Sequence, residues 1–324
     1  MAGRRTNLAL LVLVPAAGAT GLLMYGIGSG WNAWATVAHG GAGLAVLAVS
    51  PWKTAISRRG LARRPPADTA PSVVLAVAVV ATLATGLAHR AGAAGLGPLS
   101  VLQVHVAAGL AAVALTAWHA AARPVRPRAA DLSRRAVLRG GLLAGGSLAV
   151  TAALPSAGRA PTRSLERGSF DPAAMPVTSW LDDDVPEVGE GWRLVVAGRP
   201  WSLADLDGLG ADELVATLDC TGGWWADQAW SGVRLDRLLA ASGAGQGGAV
   251  EVRSLTGYAR RFPRSDAGRL LVATRAGGAP LSPGHGRPAR LVAPGRRGFW
   301  WVKWLDEVRV GDRPWWWQPP APLT

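Results

Sequence analysis

Residues 216–239 read ATLDCTGGWWADQAWSGVRLDRLL and hold the only cysteine in the 324-residue chain. Cys220 is followed by Gly222 and Gly223 and by three tryptophans, Trp224, Trp225 and Trp230, within ten positions. A lone cysteine has no intramolecular disulfide partner, so its use lies in packing or in thiolate chemistry. Packing is the simpler reading, because unpaired cysteine is among the most buried residue types. The rest of the chain decides between them.

The formal charge of +13 belongs to one half of the sequence. Residues 1–160 carry 15 Arg and Lys against only Asp68 and Asp131, whereas the remaining 19 basic and 19 acidic residues cancel. An isoelectric point near 11.5 points to nucleic acid when the basic residues gather on one face. Here they fall between long apolar runs with no basic amphipathic helix, so nucleic acid is excluded as a partner and membrane topology is indicated.

Five stretches have the roughly 20 apolar residues that crossing a bilayer takes: about 7–28, 33–51, 71–89, 101–121 and 140–158. All are rich in Ala, Gly, Leu and Val, as close-packed membrane helices are. Arg4 and Arg5 precede the first. Lys53, Arg58, Arg59, Arg63 and Arg64 separate the second from the third, and Arg123, Arg126, Arg128, Arg134, Arg135 and Arg139 separate the fourth from the fifth. The positive-inside rule puts those connections and the amino terminus in the cytoplasm and everything after about residue 160 outside. The expected order is a four-helix membrane domain over 1–122, a basic linker with a fifth, tethering helix over 123–160, and a separate domain over 161–324.

The first four helices contain a repeat. ATGL occurs at 19–22 and again at 84–87, and HGGAGLAVLAVSPWK from His39 aligns with HVAAGLAAVALTAWH from His105. A duplicated helical hairpin places His39 and His105 at similar depth, near the outer ends of helices two and four. Ionisable groups inside a membrane are costly, and their default reading is functional. Two facing imidazoles can bind a haem iron axially from both sides, or they can hydrogen-bond across the bundle; we expect one haem b. His89, at the position matched by Met24, is an alternative ligand. His119 faces Lys53 in the repeat, so a second haem lacks a ligand pair. SRRAVLRGGLLAGGSLAV (133–150) resembles a twin-arginine export signal at Arg134 and Arg135, the other reading being an ordinary basic helix flank.

After residue 160 short strands alternate with Gly, Pro and Asp turns. WRLVVAG, GAVEVRSL, RLLVATRAG, PARLVAP and VKWLDEVRV read as strands, and LADLDGL and VRLDRLLAAS as short helices. This is the pattern of one mostly β, α+β domain. Among the usual signatures, HExxH, a P-loop, GxGxxG and a Ser-His-Asp pattern do not occur, and His285 is the single histidine of this half.

The arrangement resembles the sulfite oxidase family of molybdopterin enzymes over roughly residues 190–310. The likeness rests on LDC ending at Cys220, WSGVRLDRLL from Trp230, GYARRFP at 257–263, LLVATRAGGAPLSPGHGRPARLVAP at 270–294 and VKWL at 302–305. It implies that Cys220 is the thiolate ligand of molybdenum, a soft donor for a metal held by a pterin dithiolene, with Gly222 and Gly223 letting the backbone approach. It further implies that His285, Gly286, Arg290 and Lys303 hold the anionic pterin phosphate and that Tyr258 is the active-site tyrosine. The family's Asn-Arg pair after the cysteine is replaced here by Gly223-Trp224, which leaves Arg260, Arg261 and Arg264 as substitutes for its charge. The resemblance implies a membrane oxidoreductase that transfers an oxygen atom to or from a small sulfur or nitrogen oxyanion or a sulfoxide outside the cell membrane. It would exchange electrons through the haem with a quinone or other carrier, much as bacterial methionine sulfoxide reductases of this family draw on a separate haem protein. The reading from another class is a catalytically inactive, membrane-anchored binding module.

Overall fold

The computed structural model describes residues 2–27, 32–62, 65–91, 93, 95–96, 99–125, 128–153, 174–177, 184–220 and 224–319. The chain divides into two compact units, Met1–Glu166 and Arg167–Thr324.

The first unit is helical. Its long elements are α1 (Ala2–Ile27), α2 (Asn32–Leu61), α3 (Pro66–Arg90), α4 (Val101–Ala122) and α5 (Arg134–Ala153), with a small ribbon of β1 (Gly95–Leu96) and β2 (Leu99–Ser100) leading into α4. Apolar runs of Ala, Leu and Val, in which the backbone satisfies itself internally, dictate these helices. Ser100 starts α4 with a capping box: its hydroxyl accepts from the Gln103 amide at 3.1 Å, and the Gln103 side chain accepts from the Ser100 amide at 2.8 Å. Among the described residues four helices, α1, α3, α4 and α5, are long and apolar enough to cross a membrane. Val12, Val77, Val80 and Leu142 on those helices are exposed, as lipid-facing side chains are. The second expected span coincides with α2, which continues past its apolar part through Lys53, Arg58 and Arg59. The fifth helix begins six residues earlier than the hydropathy suggested, and Arg134 and Arg135 form its first turn.

Helix α1 packs on α2, α3 on α4, α1 on α4 and α2 on α5. Two equivalent hairpins are thus joined side by side, as the repeat requires. Helix α5 lies against the glycine pair of α2: a methyl group at Gly40 would meet Thr151 Cγ2 at 2.6 Å, and one at Gly41 would meet Leu148 Cδ2 at 2.7 Å. Arg4 near the start of α1 and Asp131 before α5 form an ion pair at 2.9 Å.

The second unit is built on two sheets. In chain order its elements are β3 (Leu194–Val196), β4 (Arg199–Trp201), α6 (Leu203–Gly208), β5 (Asp212–Asp219), β6 (Trp225–Arg234), α7 (Leu235–Ala241), β7 (Ala249–Ser254), β8 (Ala259–Pro263), β9 (Leu271–Ala276), β10 (Ala279–Pro280), β11 (Arg290–Val292) and β12 (Leu305–Gly311). One sheet has the order β4-β3-β12-β7-β8, antiparallel except for the parallel β3–β12 pair; the other has the order β10-β9-β6-β5, with β11 also paired to β9. The inner faces share one core in which Val250, Val252, Phe262 and Val308 of the first sheet join Trp230, Val272 and Leu291 of the second. Aromatic burial dominates it: Trp230 and Trp301 meet edge-on at 5.5 Å between ring centres.

Every strand and helix read from the sequence of this half is present, with shifted ends. The long hairpin β5–β6, the edges β4 and β10, and β8 were not read as strands. In β5 the apolar Val215 stands among the outward residues at 78% exposure, and in β6 the polar Gln228 stands among the buried ones, so the alternation that marks a half-buried strand is blurred.

Candidate functional site

Strand β5 delivers Cys220 to the end of its sheet. Cys220 is buried and forms no disulfide, and its amide donates to the Trp224 carbonyl at 2.8 Å, which ties the end of β5 to the start of β6. Gly222 and Gly223, expected to let the cofactor approach, lie outside the described residues. The preceding residue, Asp219, accepts from Arg297 at 2.8 Å, a pair in which both side chains are almost wholly buried. Arg297 opens the Gly298–Trp300 turn, and a methyl group at Gly298 would lie 3.1 Å from both the Asp219 carbonyl and Cys220 Cα. The absence of a side chain at Gly298 therefore allows this turn to lie flat against the cysteine.

A second cluster gathers around Gly286. Gly286 sits at φ +103°, in the left-handed region where a side chain is strained. A methyl group there would meet Arg290 Cβ at 3.0 Å and Lys303 Cβ at 3.1 Å. The glycine thus brings Arg290, on β11, and Lys303, just before β12, onto one point. Lys303 Nζ reaches the Gly284 carbonyl at 3.4 Å and lies 4.1 Å from the Trp304 ring. His285 completes the turn, with the Ser282 hydroxyl 2.7 Å from its Nδ1 and the Met175 carbonyl 3.0 Å from its Nε2. A carbonyl only accepts, so Nε2 carries the proton, and Nδ1 accepts from Ser282. Both ring nitrogens of His285 are engaged by the protein, which makes it a strut of the turn. Burial, followed by the charge of Arg290, holds the His285 imidazole below its usual range.

Arg290 is the group that tests the fit of a cofactor. Its side chain is 3% exposed, stacked 5.1 Å over Trp230. Its Nη1 donates to the His285 carbonyl at 3.1 Å, while Nε has no partner among the described residues. Burial pulls Arg290 down to about 10, opposed by the charge of Cys220. A buried guanidinium without a carboxylate, close to the single thiol, is a costly arrangement unless an anion completes it. An anionic pterin with a thiolate-ligated metal supplies the missing charge, and Cys220, Arg290 and Lys303 fit it. In such an arrangement the cysteine would be the soft donor and the two cations the anion contacts.

Tyr258, which precedes β8, donates its hydroxyl hydrogen to the Phe299 carbonyl and accepts from Arg260 Nε at 2.7 Å. It is therefore tied to the same turn that abuts Cys220. The Asp219–Arg297 pair was not assigned from sequence, and Arg260 was named there only as one of three arginines. Nothing in the composition marks one arginine of RRFPR or PGRRG as buried.

In the helical unit, His39 and His105 face one another with ring centres 5.9 Å apart and planes at 89°. The two are held alike. His39 Nδ1 lies 2.9 Å from the Ala17 carbonyl, and His105 Nδ1 lies 2.9 Å from the Thr82 carbonyl. Each contact requires the proton on Nδ1, which leaves the Nε2 lone pair of both rings available. Beneath the rings lie Gly21 and Gly86, where a methyl group would come within 2.9 Å of the respective Cε1. The repeated ATGL is thus the bed of the two imidazoles, although in the sequence it signalled only a duplication. The two imidazoles, with their Nδ1 atoms engaged, would be the side chains able to hold a metal between them. His89 stands in the last turn of α3 and takes no part in this ring pair. Among the described residues no group of three or more His, Cys, Asp or Glu side chains gathers to hold a metal ion.

Residues 182–317 match the family model of the oxidoreductase molybdopterin binding domain. A 44-residue stretch is 50% identical to the NADPH nitrate reductase of Mycosarcoma maydis, covering 14% of this chain and 4% of that protein. A 43-residue stretch is 49% identical to the NADPH nitrate reductase of Phytophthora infestans, covering 13% of this chain and 5% of that protein. The chain therefore spans only a small part of the curated relatives it matches. The sulfane dehydrogenase SoxCD from Paracoccus pantotrophus aligns at 25% identity and a TM-score of 0.38 over 40% of each chain. Residues 182–317 of the second unit are thus similar to molybdopterin-binding oxidoreductase domains, and the matches support a molybdenum-dependent oxidoreductase.

Proposed function

We propose that this chain is a membrane-bound, molybdenum-dependent oxidoreductase that transfers one oxygen atom to or from a small sulfur or nitrogen oxyanion or a sulfoxide. Cys220 is the protein ligand of molybdenum; Arg290 and Lys303 hold the anionic pterin; His285 and Gly286 shape the turn that carries them; Tyr258 stands at the substrate side. When bound, the cofactor supplies two-electron oxygen-atom transfer, with water as the source or sink of the oxygen and two protons exchanged. The residues of the chain exclude water and neutralise charge. Burial of Cys220, Arg290 and the Asp219–Arg297 pair supports this division of labour.

The observation that carries the reading is the buried Arg290 beside Cys220, a cation with no carboxylate partner among the described residues. His39 and His105 would hold one haem b, which would supply electron exchange with a quinone or another carrier in the membrane. The paired Nδ1 contacts, which free both Nε2 atoms, support that assignment. The amino terminus is cytoplasmic, and the oxidoreductase domain lies outside the cell membrane, exported by way of Arg134 and Arg135.

Elemental analysis of the detergent-purified full chain, with its visible spectrum, tests both halves. We expect one molybdenum and one iron per chain, a Soret band, and loss of molybdenum in Cys220→Ser. Protein without molybdenum, made in a host able to synthesise the cofactor, refutes the reading of the second unit. Protein without a Soret band refutes that of the first.

A further inference from the structure

We propose that the turn at 314–318 of the second unit is a lipid-docking tip, whose Trp316 and Trp317 enter the interfacial layer of the bilayer on that unit's own side of the membrane. Of the readings above it presupposes only that the first unit spans a membrane.

Residues 313–319 read RPWWWQP. Trp316 and Trp317 are 62% and 60% exposed, and their rings meet edge-on at 5.9 Å between centres. Every other described tryptophan of this unit is buried or half-buried. A domain that otherwise spends its tryptophans on packing shows two of them to the outside, and large exposed apolar groups side by side mark a contact surface. The turn that carries them is fixed. Gln318 pairs with β8 as a strand residue would: its Oε1 accepts from the Arg261 amide at 2.9 Å, and its Nε2 donates to the Arg261 carbonyl at 2.8 Å. The Trp317 amide donates to the Pro314 carbonyl at 3.0 Å, and the guanidinium of Arg296 lies 5.7 Å from the Trp315 ring. Rings held on so rigid a turn lose little further freedom when they are buried, which favours binding through them.

The rest of the chain indicates what the two rings meet. The other exposed tryptophans among the described residues are Trp34, Trp52 and Trp118. Trp34 stands in the first turn of α2, Trp52 adjoins Lys53 where the apolar part of α2 ends, and Trp118 lies near the end of α4. These are the boundary positions at which tryptophan, with its apolar body and its N–H, settles between acyl chains and headgroups. Trp316 and Trp317 show the same chemistry on the second unit, which follows α5 in the chain and so keeps a bilayer surface at hand. Arg313, just before them, is exposed and pairs with no carboxylate among the described residues. A cation at that level is drawn to lipid phosphate. A two-fold contact between copies of the chain through the same tip would instead bring two Arg313 charges onto one small patch.

The test uses the full chain in nanodiscs of phosphatidylcholine and phosphatidylglycerol, prepared with ordinary lipids and again with lipids brominated high on the acyl chain, which quench nearby tryptophans. The emission of W316S/W317S is subtracted from that of wild type, so that the difference belongs to the two rings, and the melting temperature of each sample shows that the variant is folded. We expect this difference emission to lose most of its intensity in the brominated nanodiscs and to resist iodide added to the water. Quenching by iodide, with none from the brominated lipid, overturns the proposal. A second measurement on wild type needs no variant to fold: hydroxyl-radical oxidation in nanodiscs, read residue by residue by mass spectrometry. Trp316 and Trp317 should be as protected as Trp52 and Trp118, and oxidation several-fold above theirs overturns the proposal. Protection that appears only in nanodiscs holding two chains assigns the tip to a second copy and overturns it as well. A chain that does not enter nanodiscs refutes the membrane-spanning reading itself, whereas an inserted chain with unquenched, oxidised rings refutes the docking tip alone.

Discussion

Removing the carboxylate of Asp219 is the perturbation that most directly probes how Cys220 is held. The side chains of Asp219 and Arg297 are 7% and 5% exposed and 2.8 Å apart, so both charges are largely removed from solvent. Breaking a buried pair at one end leaves the other charge stranded, which typically costs 3–5 kcal/mol, whereas replacing both ends with apolar groups is close to neutral. For a domain of about 150–250 residues each kcal/mol lowers Tm by roughly 2–4 °C. Asp219→Ala is therefore expected to lower the melting temperature of the second unit by about 6–20 °C and Arg297→Met by a similar amount. The double variant should recover most of the loss. Twelve of the sixteen tryptophans lie after residue 166, so tryptophan emission during heating reports mainly this unit. Because Asp219 adjoins Cys220 and Arg297 adjoins Gly298, the single variants should also lose molybdenum. A single-variant loss under about 1 kcal/mol, or a double variant no better than the worse single one, refutes the pair as a buried clamp.

Other consequences follow from the same geometry. Gly286→Ala places a methyl group against Arg290 and Lys303 at a strained backbone angle; it should destabilise by about 1–3 kcal/mol and lower molybdenum occupancy, read by elemental analysis. The depressed His285 imidazole means that the unfolded chain binds the extra proton first. Its contribution to stability is therefore complete above the unfolded value of about 6.5 and lost as the pH falls below it, by at most about 1.4 kcal/mol per pH unit. His285→Gln should flatten denaturation midpoints measured between pH 7 and 5, and an unchanged slope counts against the assignment. Gly21→Ala and Gly86→Ala crowd equivalent imidazoles by the same 2.9 Å contact, so they should perturb the Soret band and haem content equally; a change confined to one of them contradicts the two-fold arrangement.

Much of this was legible in the chain because it depends on one-dimensional patterns. Apolar runs and intervening arginines mark the helices of the first unit, the offset between the two ATGL segments marks the duplicated hairpin, and Cys220 stands out by being unique. The likeness of GYARRFP, HGRPAR and VKWL to a known family singled out Tyr258, His285, Arg290 and Lys303 as candidates before any contact was known. The long hairpin β5–β6 was not legible, since its apolar residues face both ways.

What only the tertiary structure decided is which charges are buried together. Arg260, Arg261 and Arg264 are equivalent as letters, and β8 turns one inward, gives one to Glu251 and leaves one in solvent. Asp219 and Arg297 are 78 residues apart and meet because strand β5 ends against the turn after β11. His285 passed for an anion contact until the Met175 carbonyl was found on its Nε2. Local patterns carry hydrophobic periodicity and chemical identity. The cost of a buried charge depends on which groups the folded chain brings within a few ångströms, a distance that residue spacing alone does not determine.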